Sequence, residues 1–544
     1  MSKRKPTSTP VRTPTRQSTT ERSVGTRAFN RKAQAARQRA TRKQTRRRPR
    51  RPTSRRSFPV RELLRRIPRA AWICALVACL NAACWSIITP PFQVPDEPSH
   101  FGYTQLLAED LRLPTSARGT YSPEESAVVH DLHQSEVEGD PNTHTISSAK
   151  EQQILQEDLD SHLSRHGEGA LGGVAADPPL YPLLEIVPYG LASAGSLLDQ
   201  LELMRLQSAL MAGITALFVF LFVRETLPTV RWAWTVGGLA VALMPLLGFM
   251  SGSVNPDSML FAVSAAIFYA IARAFRRGLT RRMAIAIGAL TAVGLLTKLN
   301  FIGLAPGVIL ALIVLTVRAT PTYGRRVACL SLGLALAIAA SPVCLYFLVN
   351  LLSGHPGLGI VSTTLHLGKA QGSIFSKISY VWQFYLPRLP GMTSDFPGLA
   401  TTRQLWFDRS VGMYGWLDTS FPVWVETVTL IPAGVIGLLF VRGVVGARSA
   451  LRRHSLELIV YAVMGFGLLV LIGLSCYFNA ASEGVNFAEP RYLLPLLPLL
   501  AVAFALAARG AGRRWGPTVG AALIVLLLAH DIFSQLQVIG RFYG

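Results

Sequence analysis

The stretch Thr89-Pro90-Pro91-Phe92-Gln93-Val94-Pro95-Asp96-Glu97-Pro98-Ser99-His100-Phe101 decides how the rest of the chain is read. It follows the first long apolar segment and sets two adjacent carboxylates and a histidine among prolines at 90, 91, 95 and 98. Proline fixes φ and removes a backbone donor, so the spacing predicts a stiff, non-helical turn where the chain leaves a membrane. Two readings are open at this point. The acids are either solvated at a polar membrane exit or held rigidly for chemistry.

Toward the N-terminus the composition changes sharply. Residues 1–69 hold 24 of the 54 Lys and Arg but only two of the 31 acids, Glu21 and Glu62, leaving 30 bases against 29 acids in residues 70–544. The strong positive charge therefore belongs to a tail and not to the body. Residues 1–57 are rich in Ser, Thr, Pro, Gln and Arg, and they cannot bury enough surface to offset their ordering entropy, which predicts disorder. Runs such as Arg46-Arg47-Arg48-Pro49-Arg50-Arg51 suit nucleic acid or anionic lipid. Beside an apolar span they read as holding the N-terminus in the cytoplasm and touching anionic lipid head groups, with no nucleic acid expected. The length of the charged region argues against a signal peptide.

Toward the C-terminus, apolar runs of spanning length alternate with short charged loops, as a helical membrane protein requires. Eleven spans are expected, near 70–89, 205–223, 232–250, 257–275, 283–299, 301–317, 327–350, 424–442, 456–477, 491–508 and 517–535. The arginines of alternate loops (Arg224 and Arg231; Arg276, Arg277, Arg281 and Arg282; Arg318, Arg325 and Arg326; Arg442, Arg448, Arg452 and Arg453; Arg509, Arg513 and Arg514) fall on one side. The positive-inside rule makes that side cytoplasmic and turns Asp96 outward.

Two outer loops, 90–204 and 351–423, are long enough for structure. The first carries 16 acids from Asp96 to Asp177 against Arg112, Arg118, Lys150 and Arg165, and six of the ten histidines. No spacing there matches a familiar metal-ligand set, and 123–166 reads as solvated amphipathic helix. After Asp177-Pro178-Pro179-Leu180-Tyr181-Pro182 an apolar stretch to Leu198 either lies in the interface or dips into the membrane. The second loop carries Tyr380, Trp382, Phe384, Tyr385, Trp406, Tyr414 and Trp416, which suit either an interfacial belt or sugar rings. The six cysteines lie in or at the ends of spans and read as small apolar residues without disulfides.

Several polar residues gather on the same outer side. Asn255-Pro256-Asp257 opens the fourth span, Lys298 closes the fifth, and Glu489-Pro490-Arg491-Tyr492 opens the tenth. Each has an ordinary explanation as a helix cap, a snorkelling side chain or an interfacial ion pair. Polar groups near hydrocarbon are costly, and their convergence on the side of Asp96 and Glu97 argues for an outward-facing site.

In this order, Pro-Asp-Glu-Pro-Ser-His-Phe at 95–101, Asp-Pro-Pro-Leu-Tyr at 177–181, Asn-Pro-Asp at 255–257, Leu-Thr-Lys at 296–298, Tyr-Gly-Trp at 414–416 and Pro-Arg-Tyr-Leu-Leu-Pro at 490–495 resemble the GT-C superfamily of integral-membrane glycosyltransferases. The chain resembles more closely a bacterial membrane family of unknown function with a Pro-Asp-Glu first-loop motif. The resemblance implies an all-α polytopic bundle of about 11 transmembrane helices in the plasma membrane. It implies transfer of a sugar from a polyprenyl-phosphate donor to an envelope glycan, lipid or protein acceptor on the outer face. Asp96 would be the base or metal ligand with Glu97 beside it, and His100, Tyr181, Asn255, Asp257, Lys298, Tyr414, Trp416, Arg491 and Tyr492 would contact substrate. Asp177, where relatives often have His, and Glu489, where Gly is commoner, depart from the pattern.

The residues suit that chemistry on their own terms. Glycosyl transfer needs a carboxylate to take the acceptor proton and cations to hold the departing phosphate, and one base suits displacement with inversion. Oxygen ligands from Asp96 and Glu97 would suit Mg or Mn. A transporter or flippase of lipid-linked glycans is the alternative, favoured by internal repeats and mid-membrane charges; neither is evident. A bare anchor for the basic tail leaves the polar constellation unexplained.

Overall fold

The computed structural model describes residues 67–114, 119–138, 140, 142–143, 148–168, 172–352, 373–395, 402–483 and 489–544. The chain divides into two units, Met1–Arg66 and Ile67–Gly544. The first, with the expected disordered tail, lies outside the described residues.

The second unit is a helical bundle. Its principal helices are α1 (Arg69–Ile88), α2 (Glu97–Glu109), α3 (Leu180–Leu191), α4 (Leu197–Thr226), α5 (Arg231–Ala242), α6 (Pro245–Ser251), α7 (Asp257–Arg277), α8 (Arg281–Thr297), α9 (Ala305–Tyr323), α10 (Arg325–Leu352), α11 (Val423–Gly446), α12 (Ser455–Glu483), α13 (Leu497–Gly510) and α14 (Gly512–Tyr543). Short 3-10 segments, Leu299–Leu304 and Pro490–Leu496, lead into α9 and α13. A two-stranded antiparallel hairpin pairs β1 (Met413–Tyr414) with β2 (Thr419–Ser420), Met413 opposite Ser420.

Prolines punctuate these elements where the sequence places them. Helix α1 stops before Pro90-Pro91, with Thr89 already extended, because a residue preceding proline is pushed out of the helical region. Pro245 likewise divides the expected span 232–250 into α5 and α6, which meet at 55°. Met244 is extended, and proline supplies no donor to continue the ladder. The turn around Asp96 is stiff but shorter than expected. Pro98 sits in the first turn of α2, where its missing N–H would have been unpaired anyway, so 97–101 is helical.

Among the described residues nine helices are long and apolar enough to cross a membrane, ten if α5 and α6 form one broken span. The eleventh expected segment is α8. At 17 residues it is about 25 Å long, at the lower limit for the hydrocarbon core. Lys298, which follows it, reaches Asp257 at the start of α7, so α8 returns the chain to the end from which α7 set out. Span α4 begins at Leu197, eight residues before the expected 205, and takes Asp199 and Glu202 into the helix ahead of Arg205.

Helix α7 is the central post. Within its apolar window 83% of residues are buried, against 6% in α10 and α11, whose side chains therefore face outward as lipid-facing surfaces do. Helices α1 and α7 both pack against α4. Helices α11 and α13 approach through glycines: a side chain at Gly443 would strike the Leu506 carbonyl, and one at Gly510 that of Leu439. At one end of the bundle, the arginine end, Arg276 lies 3.9 Å from Glu457 and Arg277 lies 3.8 Å from Glu225. The stretch around Asp96 lies at the other.

At the Asp96 end, Pro123–Asp131, Gln134–Val137 and Ala149–Asp160 are helical, as expected for 123–166. The apolar stretch to Leu198 is resolved into α3, which buries Tyr181, Glu185 and Tyr189 and exposes Leu183, Leu184, Val187 and Leu191. The second loop contains the helix Ile374–Tyr385 and the β1–β2 hairpin. Helix α14 runs past the expected 535, and Arg541 near its end donates to the carbonyls of Thr143 and Asp140, each at 2.6 Å.

Candidate active site

The site is built on a left-handed turn within the proline-rich loop. Asp96 has φ 69°, ψ 0°, in the left-handed region that few residues other than Gly, Asn and Asp adopt. Phe92 also has positive φ. Two strained residues in one short loop need a tether, and Glu97 with Arg205 supplies it. Both are fully buried. Arg205 donates Nε to Glu97 Oε1 at 2.8 Å and Nη2 to Oε2 at 2.6 Å, a two-point pair. Its remaining donors go to the carbonyls of Ser86, Thr89 and Pro90 at 2.9–3.0 Å. Glu97 also accepts the backbone N–H of Phe92 and of Val254, each at 3.0 Å. One ion pair thus closes the loop on itself and fastens it to the turn before α7.

Above this tether the cations converge. Arg491 donates Nη2 to Asp96 Oδ2 at 2.9 Å, and its Nε faces Glu489. Its guanidinium lies 5.2 Å from the centre of the Tyr492 ring, and Nη1 has no partner among the described residues. Lys298 places Nζ 2.8 Å from Asp257 Oδ1, while Asp257 Oδ2 is buried without a partner among the described residues. Asn255 Oδ1 accepts the Asp257 N–H at 3.0 Å and its amide donates to Pro95 O at 3.3 Å, joining the start of α7 to the loop. Lys298 can turn aside because it is extended, between the end of α8 and the next 3-10 turn. Asp96 is the open member of the cluster, its side chain 41% exposed against 6% for Arg491.

The electrostatics follow from this packing. Although its side chain is part-open, the crowding of chain around Asp96 strips water from the carboxyl and pushes it up, but Arg491 and Lys298 outweigh this and hold the group below the usual carboxylate range. Burial, reinforced by the charge of Lys298, pushes His100 down to about 3, so its imidazole is neutral, with Nδ1 unpartnered among the described residues. Asp177 goes the other way. Burial raises it to about 7, with Asp257 and Asp96 adding to the rise against Lys298 and Arg491. Glu489 is also raised by burial.

Of the residues singled out in the sequence, the structure brings Asp96, His100, Asp257, Lys298, Arg491 and Tyr492 together. The others hold structure nearby. Glu97 is committed to Arg205 and two amides, so Asp96 and Glu97 do not offer one cation a shared pair of ligands. Among the described residues no three His, Cys, Asp or Glu side chains are arranged to hold a metal ion. Tyr181 is buried with its hydroxyl 2.7 Å from Ser208 Oγ. Tyr414 is buried in the core, its ring 5.1 Å from Trp85 and 5.4 Å from Phe249. Trp416 donates its indole N–H to Phe92 O at 3.2 Å and pins the loop from the hairpin side. Trp416→Phe, which removes that donor and keeps a ring, is expected to cost about 1 kcal/mol of stability in thermal unfolding. Trp416→Ala, which also removes a half-buried ring, is expected to cost more than Trp416→Phe.

Residues 79–500 match the family described as "Predicted membrane protein (DUF2142)". The match covers well over half of the chain, and the chain belongs to that family. It is a multi-pass membrane protein. No curated protein matches it. Among solved structures it is similar, at low identity, to two GT-C glycosyltransferases. ArnT from Cupriavidus metallidurans bound to undecaprenyl phosphate gives a TM-score of 0.43 at 14% identity, over 86% of this chain and 73% of that one. The Archaeoglobus fulgidus oligosaccharyltransferase in the apo form gives 0.42 at 12% identity, over 87% of this chain and 56% of that one. This chain thus spans little more than half the length of the archaeal enzyme.

Proposed function

We propose that the protein is a glycosyltransferase. It moves a sugar from a polyprenyl-phosphate donor to an envelope glycan, lipid or protein acceptor at the outer membrane surface. The observation that carries this reading is the junction of three span ends, where Lys298 and Arg491 sit beside Asp96, a half-exposed carboxylate held in a fixed backbone geometry. In the reaction an acceptor hydroxyl oxygen forms a bond to the anomeric carbon while the bond from that carbon to phosphate oxygen breaks. The bonding pair leaves with the polyprenyl phosphate, and Asp96 takes the hydroxyl proton. Attack opposite the leaving group inverts the anomeric carbon. Negative charge grows on the leaving phosphate, so Lys298 and Arg491 act most strongly as it departs. Glu97 and Arg205 position the loop and do not touch substrate.

Removal of the gene tests this: the lipid-linked donor should accumulate and one envelope polymer should lose a sugar, whereas unchanged lipid-linked sugars and polymers would count against it. In purified protein, Lys298→Met and Arg491→Met should each weaken donor binding and lower turnover. A variant that changes neither would remove that residue from the phosphate site.

The outer placement is tested separately by thiol labelling, in a background lacking the native cysteines. His130→Cys and Pro390→Cys should react with an impermeant reagent in intact cells, and Arg281→Cys should not. Labelling at 281 alone would invert the topology.

A further inference from the structure

Of the two cations proposed to hold the donor phosphate, Arg491 is already paired with Asp96, the residue proposed as base. Arg491 is the fixed partner of that pair. Its guanidinium lies against the Tyr492 ring, 5.2 Å from the ring centre, and its Nε faces the buried Glu489. Only 6% of its side chain is exposed. Asp96 is the exchangeable partner. It presents 41% of its side chain to the open side and holds Arg491 through one oxygen. An anion reaching Arg491 from the open side meets the Asp96 contact first, and Nη1, buried and without a partner among the described residues, becomes a further donor for it only once that contact opens.

Resting on the donor reading above, we infer that Arg491 exchanges Asp96 for the donor phosphate, so that arrival of the phosphate releases the base. The exchange keeps the buried guanidinium paired throughout, since a phosphate can take two guanidinium donors at once in place of the single contact from Asp96. It also orders the reaction. While paired with Arg491 the carboxylate is held low in basicity, and it becomes available to an acceptor hydroxyl only when a donor is in place. A carboxylate that waits for the donor protects the site from idle proton transfer.

The inference makes Asp96 a competitor of the donor, and this gives an unusual expectation. A competitor lowers apparent affinity by the fraction of time the cation is engaged. Asp96→Asn should therefore bind undecaprenyl monophosphate about tenfold more tightly than the wild type, while losing turnover. The measurement is binding of that lipid, doped into phosphatidylcholine nanodiscs, to full-length wild type, Asp96→Asn, Asp177→Asn and Arg491→Met. Compared at about pH 8.5, where Asp177 is ionised, Asp177→Asn controls for the loss of a nearby acid that forms no ion pair or hydrogen bond with Arg491 among the described residues, and it should change affinity about twofold or less. Equal tightening in Asp96→Asn and Asp177→Asn would replace exchange by general charge repulsion and overturn the inference. Unchanged or weaker binding in Asp96→Asn, with Arg491→Met still defective, would overturn it while leaving the donor reading intact. Absence of binding by the wild type and every variant would remove the donor reading itself. As a measurement independent of the variants, the wild-type structure with the lipid bound should show the Asp96–Arg491 hydrogen bond open; a bond still closed beside a bound phosphate overturns the exchange.

Discussion

Asp96→Asn is expected to leave expression and membrane insertion near normal and to cut sugar transfer by at least about two orders of magnitude, the usual share of a general base. Asparagine is the informative replacement because the backbone at 96 has φ 69°. Asn accepts the left-handed region about as readily as Asp, and its carbonyl oxygen can accept from Arg491 only as a neutral, weaker partner that competes less with phosphate. What it cannot do is take a proton. Alanine would add backbone strain of about 1 kcal/mol or more and confuse geometry with chemistry. Transfer measured in proteoliposomes, at donor concentrations that saturate both proteins, isolates turnover from binding. Wild-type turnover by Asp96→Asn would end the catalytic assignment.

The second large effect falls on a residue that touches no substrate. Arg205→Met is expected to destabilise the protein by about 3–5 kcal/mol, because it leaves the Glu97 carboxylate buried without its counter-charge. The carbonyls of Ser86, Thr89 and Pro90 would lose their shared donor as well. Against a typical folding margin of about 5–15 kcal/mol such a loss is severe. Combining it with Glu97→Leu should recover part of the stability, since a buried pair replaced on both sides is far less costly than one broken on one side. Denaturant unfolding in detergent reads both. If Arg205→Met unfolds within about 1 kcal/mol of the wild type, the ion pair does not hold the loop.

That Arg205 escaped the sequence shows where such reading stops. Hydropathy located nearly every span, because apolar residues in long runs have few other uses. The same criterion began the second span at residue 205 and treated the charges just before it as loop, whereas the helix starts at Leu197. A guanidinium inside a membrane helix was itself a signal that a partner must exist. The partner, Glu97, lies 108 residues away, a distance no periodicity spans. Glu97 stands next to Asp96 in the sequence, but the left-handed backbone at Asp96 sends the two carboxylates to different surroundings, which adjacency alone does not show. Lys298, Asp257 and Arg491 were legible because each stands at the end of a span, where a polar group is conspicuous. Tyr414 and Trp416 were conspicuous as aromatics, but their places, against Trp85 and on Phe92 O, depend on contacts more than 300 residues apart in the chain.

The most direct measurement of the central claim follows the sugar–phosphate bond of a polyprenyl-phosphate sugar in sealed proteoliposomes containing the purified protein and an envelope acceptor extract. The account predicts cleavage of that bond with release of polyprenyl phosphate, appearance of the sugar on an acceptor, and loss of both in Asp96→Asn. Movement of the intact donor from one leaflet to the other, with the bond unbroken and no dependence on Asp96, would contradict it and make the protein a transporter.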